Sequence, residues 1–336
     1  MYHYLRFLMK KKRAIAVINQ FEGEDVTDDR AKELVRQMKK AMVHYHWDFD
    51  EFFMYHFEDI SDEKRKSFVP EYEKNIFCAR VNDPEKSKIF DNKWATYQRF
   101  SRFFKRDVCH LEGSEQLTRQ EFKEFIQKHN AFIVKPVFSA SGDGIRFMTV
   151  SGIEDAKNKI SAIFAKSREP LLLEELIVQS EKMGKYHKDS VNTLRMRTFR
   201  FDDKVELLPS NMRLGRGGAK IDNTSKGGIS VALDMNGKAF AASDEQGNTF
   251  DYHPDSGVKI IGENVPLWEE AVSFVKDLAQ IVPEVRYVGW DIALTNEGWV
   301  LIEGNDKGMF VGLQKPTQQG FRDKMNRILD ELHIHL

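Results

Sequence analysis

Residues 289–306 read GWDIALTNEGWVLIEGND, two apolar runs around a Thr-Asn-Glu-Gly turn. Runs of this kind bounded by turn residues predict a hairpin with at least one covered face. Each run carries a carboxylate where an apolar residue is expected, Asp291 in one and Glu303 in the other. A three-residue loop pairing Thr295 with Trp299 sets Asp291 opposite Glu303 on one face. Like charges directly opposite destabilise a sheet, and burying them costs several kcal/mol unless they are neutralised. A divalent cation resolves the conflict. Asn305, two residues past Glu303, shares its face and adds an amide oxygen. Two carboxylates and an amide are hard oxygen donors that suit Mg²⁺, whose remaining positions go to water and phosphate oxygens. The plainer alternative is a solvent-facing hairpin with two ordinary acids. It fits poorly with Trp290, Ile292, Leu294 and Leu301 as neighbours.

A chain of 336 residues, 41% hydrophobic, is long enough for a sizeable core divided among two or three domains. Charged residues make up 31% and the formal net charge is -1, which argues against a protein that coats nucleic acid. Two cysteines, Cys78 and Cys109, match no zinc or disulfide spacing and point to a reducing, cytoplasmic setting. No apolar run approaches the roughly 20 residues of a transmembrane helix. The basic cluster Lys10–Arg13 reads as a solvated turn, with a membrane surface or an acidic partner as the alternative.

Periodicity places a helix over Asp28–His46, where Ala31, Leu34, Val35, Met38, Met42 and Tyr45 recur at helical spacing. DPEKSKIFDNK reads as a connecting segment. Thr118 and Glu121 match a capping box, with Leu117 and Phe122 as its hydrophobic staple. Strands are expected at AFIVKPVF, IRFMTV, PLLLEELIV and NTLRMRTFRF. A hairpin is expected around Asn236-Gly237. Helices are expected over 154–166, over Trp268–Ile281, and from about Thr317 to Leu332. Strands interleaved with helices and antiparallel hairpins give an α+β (mixed α/β) class. No dinucleotide-binding glycine fingerprint and no Walker sequence occurs, which disfavours a Rossmann dehydrogenase and a P-loop site.

Three further features carry chemistry. Lys135 ends a strand ahead of SASGDG, whose Gly142 and Gly144 would let backbone N–H groups approach a phosphate. The same pattern also suits an ordinary hairpin loop. Glu174 and Glu175 follow three leucines, where an apolar strand end can wall a purine or simply run into solvent. Arginines and lysines gather between 195 and 226, among them Arg195, Arg213, Arg216 and Lys226. They suit phosphate or carboxylate, or a solvated charged face. No nucleophile–histidine–acid arrangement is legible.

The order of these features resembles the ATP-grasp superfamily: Asp91-Asn92-Lys93, then Lys135 with its glycine loop, then Glu174-Glu175-Leu176-Ile177, an arginine strand, and finally WD and EGN. More narrowly, SVNTLRMRTF, NTSKGGISVALD, HPDSG, VPLWEEA and VGWDIALTNEGWVLIEGN are similar to the sugar-transfer-associated ATP-grasp proteins, over roughly residues 75–320. The resemblance implies two α+β subdomains clasping ATP after a largely helical N-terminal region. Its division is 1–90, then 91–180 with the phosphate loop, then 181–336 with the Mg²⁺ site. It implies that Lys93 and Lys135 contact phosphates and that the loop Ser139–Gly144, with Ser139, Ser141, Gly142 and Gly144, covers them. Glu174, Glu175 and Ile177 belong to the segment that holds adenine, and Glu181 is a candidate for the ribose. Asp291, Glu303 and Asn305 are implied as Mg²⁺ ligands, and Arg195, Arg213 and Lys226 as contacts to phosphate or acyl phosphate. The implied activity is ATP- and Mg²⁺-dependent ligation of a small-molecule or sugar-linked carboxylate to an amine through an acyl phosphate, with a role in cell-surface polysaccharide or glycoconjugate assembly. A phosphotransferase on the same fold and a nucleotide-binding regulatory module without turnover are the alternatives.

Overall fold

A computed structural model describes residues 11–139 and 144–335. Its first part is helical: Lys11–Glu22, Asp28–Tyr45, Phe49–Met54, Asp62–Ser67 and Glu71–Val81. The Asp28–Tyr45 helix begins where Thr27 caps it through Arg30 N. It buries Leu34, Met38, Ala41 and Met42, the stripe that helical spacing requires. These side chains join Trp47, Phe52, Tyr55, Phe57 and Phe68 in one apolar cluster.

This helical part docks on the chain's C-terminal end through buried Gln314. The Gln314 side chain accepts from Val69 N at 2.8 Å and Phe321 N at 3.0 Å, and donates to Val69 O at 3.0 Å. A buried amide satisfied on both sides fixes orientation as well as contact. Within the helical part, Glu51 ties the start of its own helix to that of the Glu71–Val81 helix: its carboxylate accepts from Asp48 N at 2.9 Å and Glu71 N at 2.8 Å. Burial pushes this carboxyl up to about 7. An acid raised on folding contributes stability that is fully present below the usual carboxylate range and lost as pH rises through its folded value. Denaturant unfolding should therefore show the wild type losing about 1–3 kcal/mol relative to Glu51→Gln between about pH 5 and about pH 8. Parallel curves for the two proteins would mean that Glu51 does not titrate there.

Two antiparallel sheets follow. The smaller has the order β1-β4-β2-β3, from Val108–Leu111, Leu171–Glu175, Ala131–Pro136 and Arg146–Thr149. The helices Gln120–Lys128 and Ile153–Phe164 cover it through Phe122, Phe125, Ile160 and Ile163. The larger has the order β10-β9-β5-β6-β7-β8. Its strands are β5 Thr193–Arg200, β6 Val205–Leu214, β7 Ile229–Leu233, β8 Ala239–Ser243, β9 Tyr287–Thr295 and β10 Gly298–Asn305. Both faces of the larger sheet are covered. Leu194, Met196 and Ile292 pack with the Trp268–Ala279 helix, while Phe199, Leu208 and Tyr287 pack with Phe77 and Met325 on the other side. Even Arg197, on the charged side of the expected alternation, is buried. No helix among the described residues is long and apolar enough to cross a membrane.

Three local expectations are corrected. The segment from Pro84 to Asp91 is a helix, because Asp83 caps it through Glu85 N and Lys86 N and Pro84 stands where no N–H is needed. The capping box at Thr118 does not form. Thr118 ends a 3₁₀ turn and its hydroxyl donates to Glu115 O at 3.1 Å, so the next helix starts at Gln120 without a side-chain cap. The final helix starts later than expected, at Arg322, and runs to Glu331; a separate helix, Val311–Thr317, precedes it and ends where Gln318 adopts a left-handed backbone.

Candidate functional site

The β9–β10 hairpin brings its carboxylates together by a route the sequence does not announce. Thr295 pairs with Gly298, not Trp299, across a two-residue loop. The Thr295 hydroxyl donates to Gly298 O at 2.9 Å and accepts from Glu297 N at 3.1 Å, and Gly298 has the positive φ of 99° that glycine tolerates. That register would place Ile302 opposite Asp291. A bulge between Leu301 and Glu303 supplies the missing step, so Asp291 does face Glu303. Asn305 lies on the same side, its Nδ2 donating to Glu303 Oε1 at 3.3 Å.

The arginines arrive from the neighbouring strands. Arg195 on β5 pairs directly with Asp291 across the sheet. Its Nε contacts Asp291 Oδ1 and its Nη2 donates to Oδ2 at 2.7 Å. Arg213 on β6 reaches the same carboxylate, Nη2 to Oδ2 at 2.8 Å. It also lies 3.7 Å from Asp222, which accepts from the N–H and hydroxyl of Thr193. Burial works to raise Asp291, but Arg195 and Arg213 outweigh it and hold the carboxyl well below the usual range. Burial and the Asp291 charge push Glu303 the other way, above that range. Among the described residues no lysine or arginine forms an ion pair with Glu303. Asp291 and Asp222 thus share the two guanidiniums, while Glu303 has no ion pair of its own among the described residues. With the amide of Asn305 beside it, this donor set fits a hard divalent cation. Such an ion would meet an Asp291 already engaged at both oxygens.

Opposite the hairpin stand the lysines. Lys93 is the first residue of the Lys93–Phe104 helix, which Asn92 caps through Ala95 N at 3.0 Å. Its ammonium contacts the carbonyl and hydroxyl oxygens of Ser139, and burial lowers its pKa. Lys135 on β2 pairs with Glu174 on β4 at 2.5 Å. Burial acts to raise Glu174, but Lys135 and Arg106 overcome it and hold the carboxyl at about 2. Glu175 turns away and accepts from Asp107 N at 3.0 Å. Gly144, at φ 78°, leaves only 2.8 Å between a Cβ and the Pro136 ring. Ser141 and Gly142 lie outside the described residues.

Two cavities meet at Lys135, Glu174, Ile302 and Glu303. The larger, about 1130 Å³, runs between the sheets past Glu175, Ile177 and Glu181 to Arg213 and Asp222. The smaller, about 420 Å³, holds Lys93, Ser139 and Asn305. Of the expected site residues, Lys226 stands apart. It is exposed on the turn Thr224–Lys226 and does not line the larger cavity, whereas Lys220 does. Arg106 and Asp222 take part without having been expected. Each contacts partners remote in sequence, and neither stands in a recognisable pattern.

A family model described as sugar-transfer associated ATP-grasp matches residues 72–330. No curated protein matches the chain. Among solved structures the chain is similar to D-alanyl-alanine synthetase A from Vibrio cholerae at 15% identity and TM-score 0.48, over 74% of this chain and 67% of that one. It is similar to D-alanine–D-alanine ligase from Bacillus anthracis at 11% identity and TM-score 0.45, over 91% and 96%. It is also similar to an L-amino acid ligase from Bacillus licheniformis at 11% identity and TM-score 0.39, over 66% of this chain and 41% of that one. The chain thus spans less than half the length of the last.

Proposed function

Because the chain belongs to the sugar-transfer associated ATP-grasp family, we propose that it is an ATP- and Mg²⁺-dependent ligase that joins a carboxylate to an amine through an acyl phosphate. The observation that carries this reading is the bulged register setting Glu303, which has no ion pair of its own among the described residues, opposite Asp291 in a cavity that also holds two lysines, Lys93 and Lys135. That arrangement has no use in a purely structural hairpin, where it would only cost stability.

In this reading adenine lies along Glu174–Ile177 in the larger cavity, between apolar side chains and strand-end backbone groups. Lys93, Lys135 and the loop from Ser139 to Gly144 hold the phosphates. Asp291, Glu303 and Asn305 hold Mg²⁺, which would offset phosphate charge and orient the transferring group. Arg195 and Arg213 set the position of Asp291 and extend positive charge towards the acceptor, and this reading assigns Lys226, on the turn Thr224–Lys226, to a contact with the same phosphate or acyl phosphate. A carboxylate attacks the γ-phosphorus and ADP leaves; an amine then displaces phosphate from the acyl carbon. Each well-placed cationic donor contributes about 3 kcal/mol to such a charged transition state. The division into 1–90, 91–180 and 181–336 follows the same reading, with separate apolar clusters in the helical part and under the smaller sheet supporting it. Sugar-linked carboxylates or amines in cytoplasmic steps of polysaccharide assembly are the substrates that the family description favours.

Incubation with ATP, Mg²⁺ and pooled carboxylates and amines should release ADP and phosphate only when both pools are present, with ¹⁸O passing from carboxylate to phosphate. Equal ADP formation with a hydroxyl compound alone, without phosphate release, would replace the ligase by a phosphotransferase.

A further inference from the structure

Arg106 lies between the Lys93–Phe104 helix and β1. Its side chain is 5% exposed. Nε and Nη2 donate to Glu174 Oε2 on β4, at 3.2 and 2.9 Å. Nη1 donates to Leu301 O on β10 at 2.6 Å and to Phe104 O at 3.3 Å. The guanidinium carbon stands 4.6 Å from the centre of the Phe104 ring.

Each acceptor is one step from a group of the proposed reaction. Glu174 holds the Lys135 ammonium on its other oxygen. Leu301 immediately precedes Ile302, the bulge residue that lets Glu303 meet Asp291. Phe104 ends the helix that Lys93 begins. One planar fork therefore spans both sheets and the helix. A lysine has a single ammonium and could not serve the same acceptors at once.

We propose that Arg106 is a positioning residue that couples the phosphate lysines to the carboxylate pair, so that nucleotide and divalent cation strengthen each other's binding. This rests on the reading of the site as a Mg²⁺–ATP site. With the fork removed, the Glu174–Lys135 pair remains, but it is no longer fixed relative to β10. Leu301 O loses its partner from Arg106, and the bulge is released from the smaller sheet. Both ligands then meet their own groups, but neither organises the other's site. Coupling of this kind is reciprocal, so it is measurable from either ligand.

Calorimetric titration of ADP, with and without Mg²⁺, into wild type, Arg106→Lys, Arg106→Met and Glu303→Gln tests this. In wild type Mg²⁺ should tighten ADP binding. In Arg106→Lys that enhancement should fall about tenfold, the worth of one charged hydrogen bond, while Mg²⁺-free binding changes by less than about threefold. Glu303→Gln supplies the reference without metal coupling. If Arg106→Met does not fold, Arg106→Lys carries the test, since it keeps the charge and the stem over Phe104. A lowered melting temperature with full Mg²⁺ enhancement in Arg106→Lys would overturn the proposal and leave the ligase reading standing. A wild type that binds no nucleotide would overturn both.

Discussion

Glu303→Gln should reduce Mg²⁺-dependent ATP turnover by on the order of a hundredfold or more while leaving the metal-free protein as stable as wild type, or more stable. The two halves of this expectation have one cause. In the folded chain Glu303 is a half-buried carboxyl beside the Asp291 charge, and both effects push it above the usual range. Arg195 and Arg213 are committed to Asp291, so Glu303 gains no ion pair in exchange for its burial. The isosteric amide removes that unfavourable charge and can still accept from Asn305 Nδ2. A cation loses its only uncompensated carboxylate ligand. Steady-state turnover over a range of Mg²⁺ concentrations, beside thermal unfolding without metal, reads both halves. Full activity in the variant would remove Glu303 from the metal site. Loss of activity together with a large loss of stability would make its role architectural.

The carboxylates were legible because a charge inside an apolar run is an anomaly with few resolutions. Their pairing was legible only in outcome. The expected three-residue loop and regular register are replaced by a two-residue loop and a bulge, two one-residue changes that compensate. Ile302 looks like any other strand residue, so nothing in the sequence marks the bulge. Lys93, Lys135 and Glu174 stood out by their place at element ends. Arg106 did not, since its partners Glu174 and Leu301 lie 68 and 195 residues away. Local signals failed in both directions. Asp83-Pro84 is a helix start that reads as a linker, and Thr118 with Glu121 matches a cap that a 3₁₀ turn pre-empts. Such competition is decided by tertiary packing, which pattern matching does not see.

Arg213→Met should cost about 3–5 kcal/mol of stability, the penalty for leaving a buried ion pair with one partner missing. Arg213 stands between two acids, Asp291 and Asp222, and also donates to Asn223 Oδ1 at 3.3 Å. Asp291 would keep Arg195, but Asp222 would keep only the N–H and hydroxyl of Thr193. Burial already pushes Asp222 up against the pull of Arg213, so without the arginine its charge becomes the costliest in the cluster. Adding Asp222→Asn to Arg213→Met should therefore restore a substantial part of the lost stability, while Asp222→Asn alone should destabilise. A double-mutant cycle by denaturant unfolding gives the coupling directly. Additive losses would mean that the two side chains act independently. Turnover should not recover with stability in the double variant, because Asp291 would still lack the guanidinium that fixes it opposite Glu303. Recovery of both together would show that Arg213 serves the fold alone, and that Arg195 suffices to hold the metal-facing carboxylate.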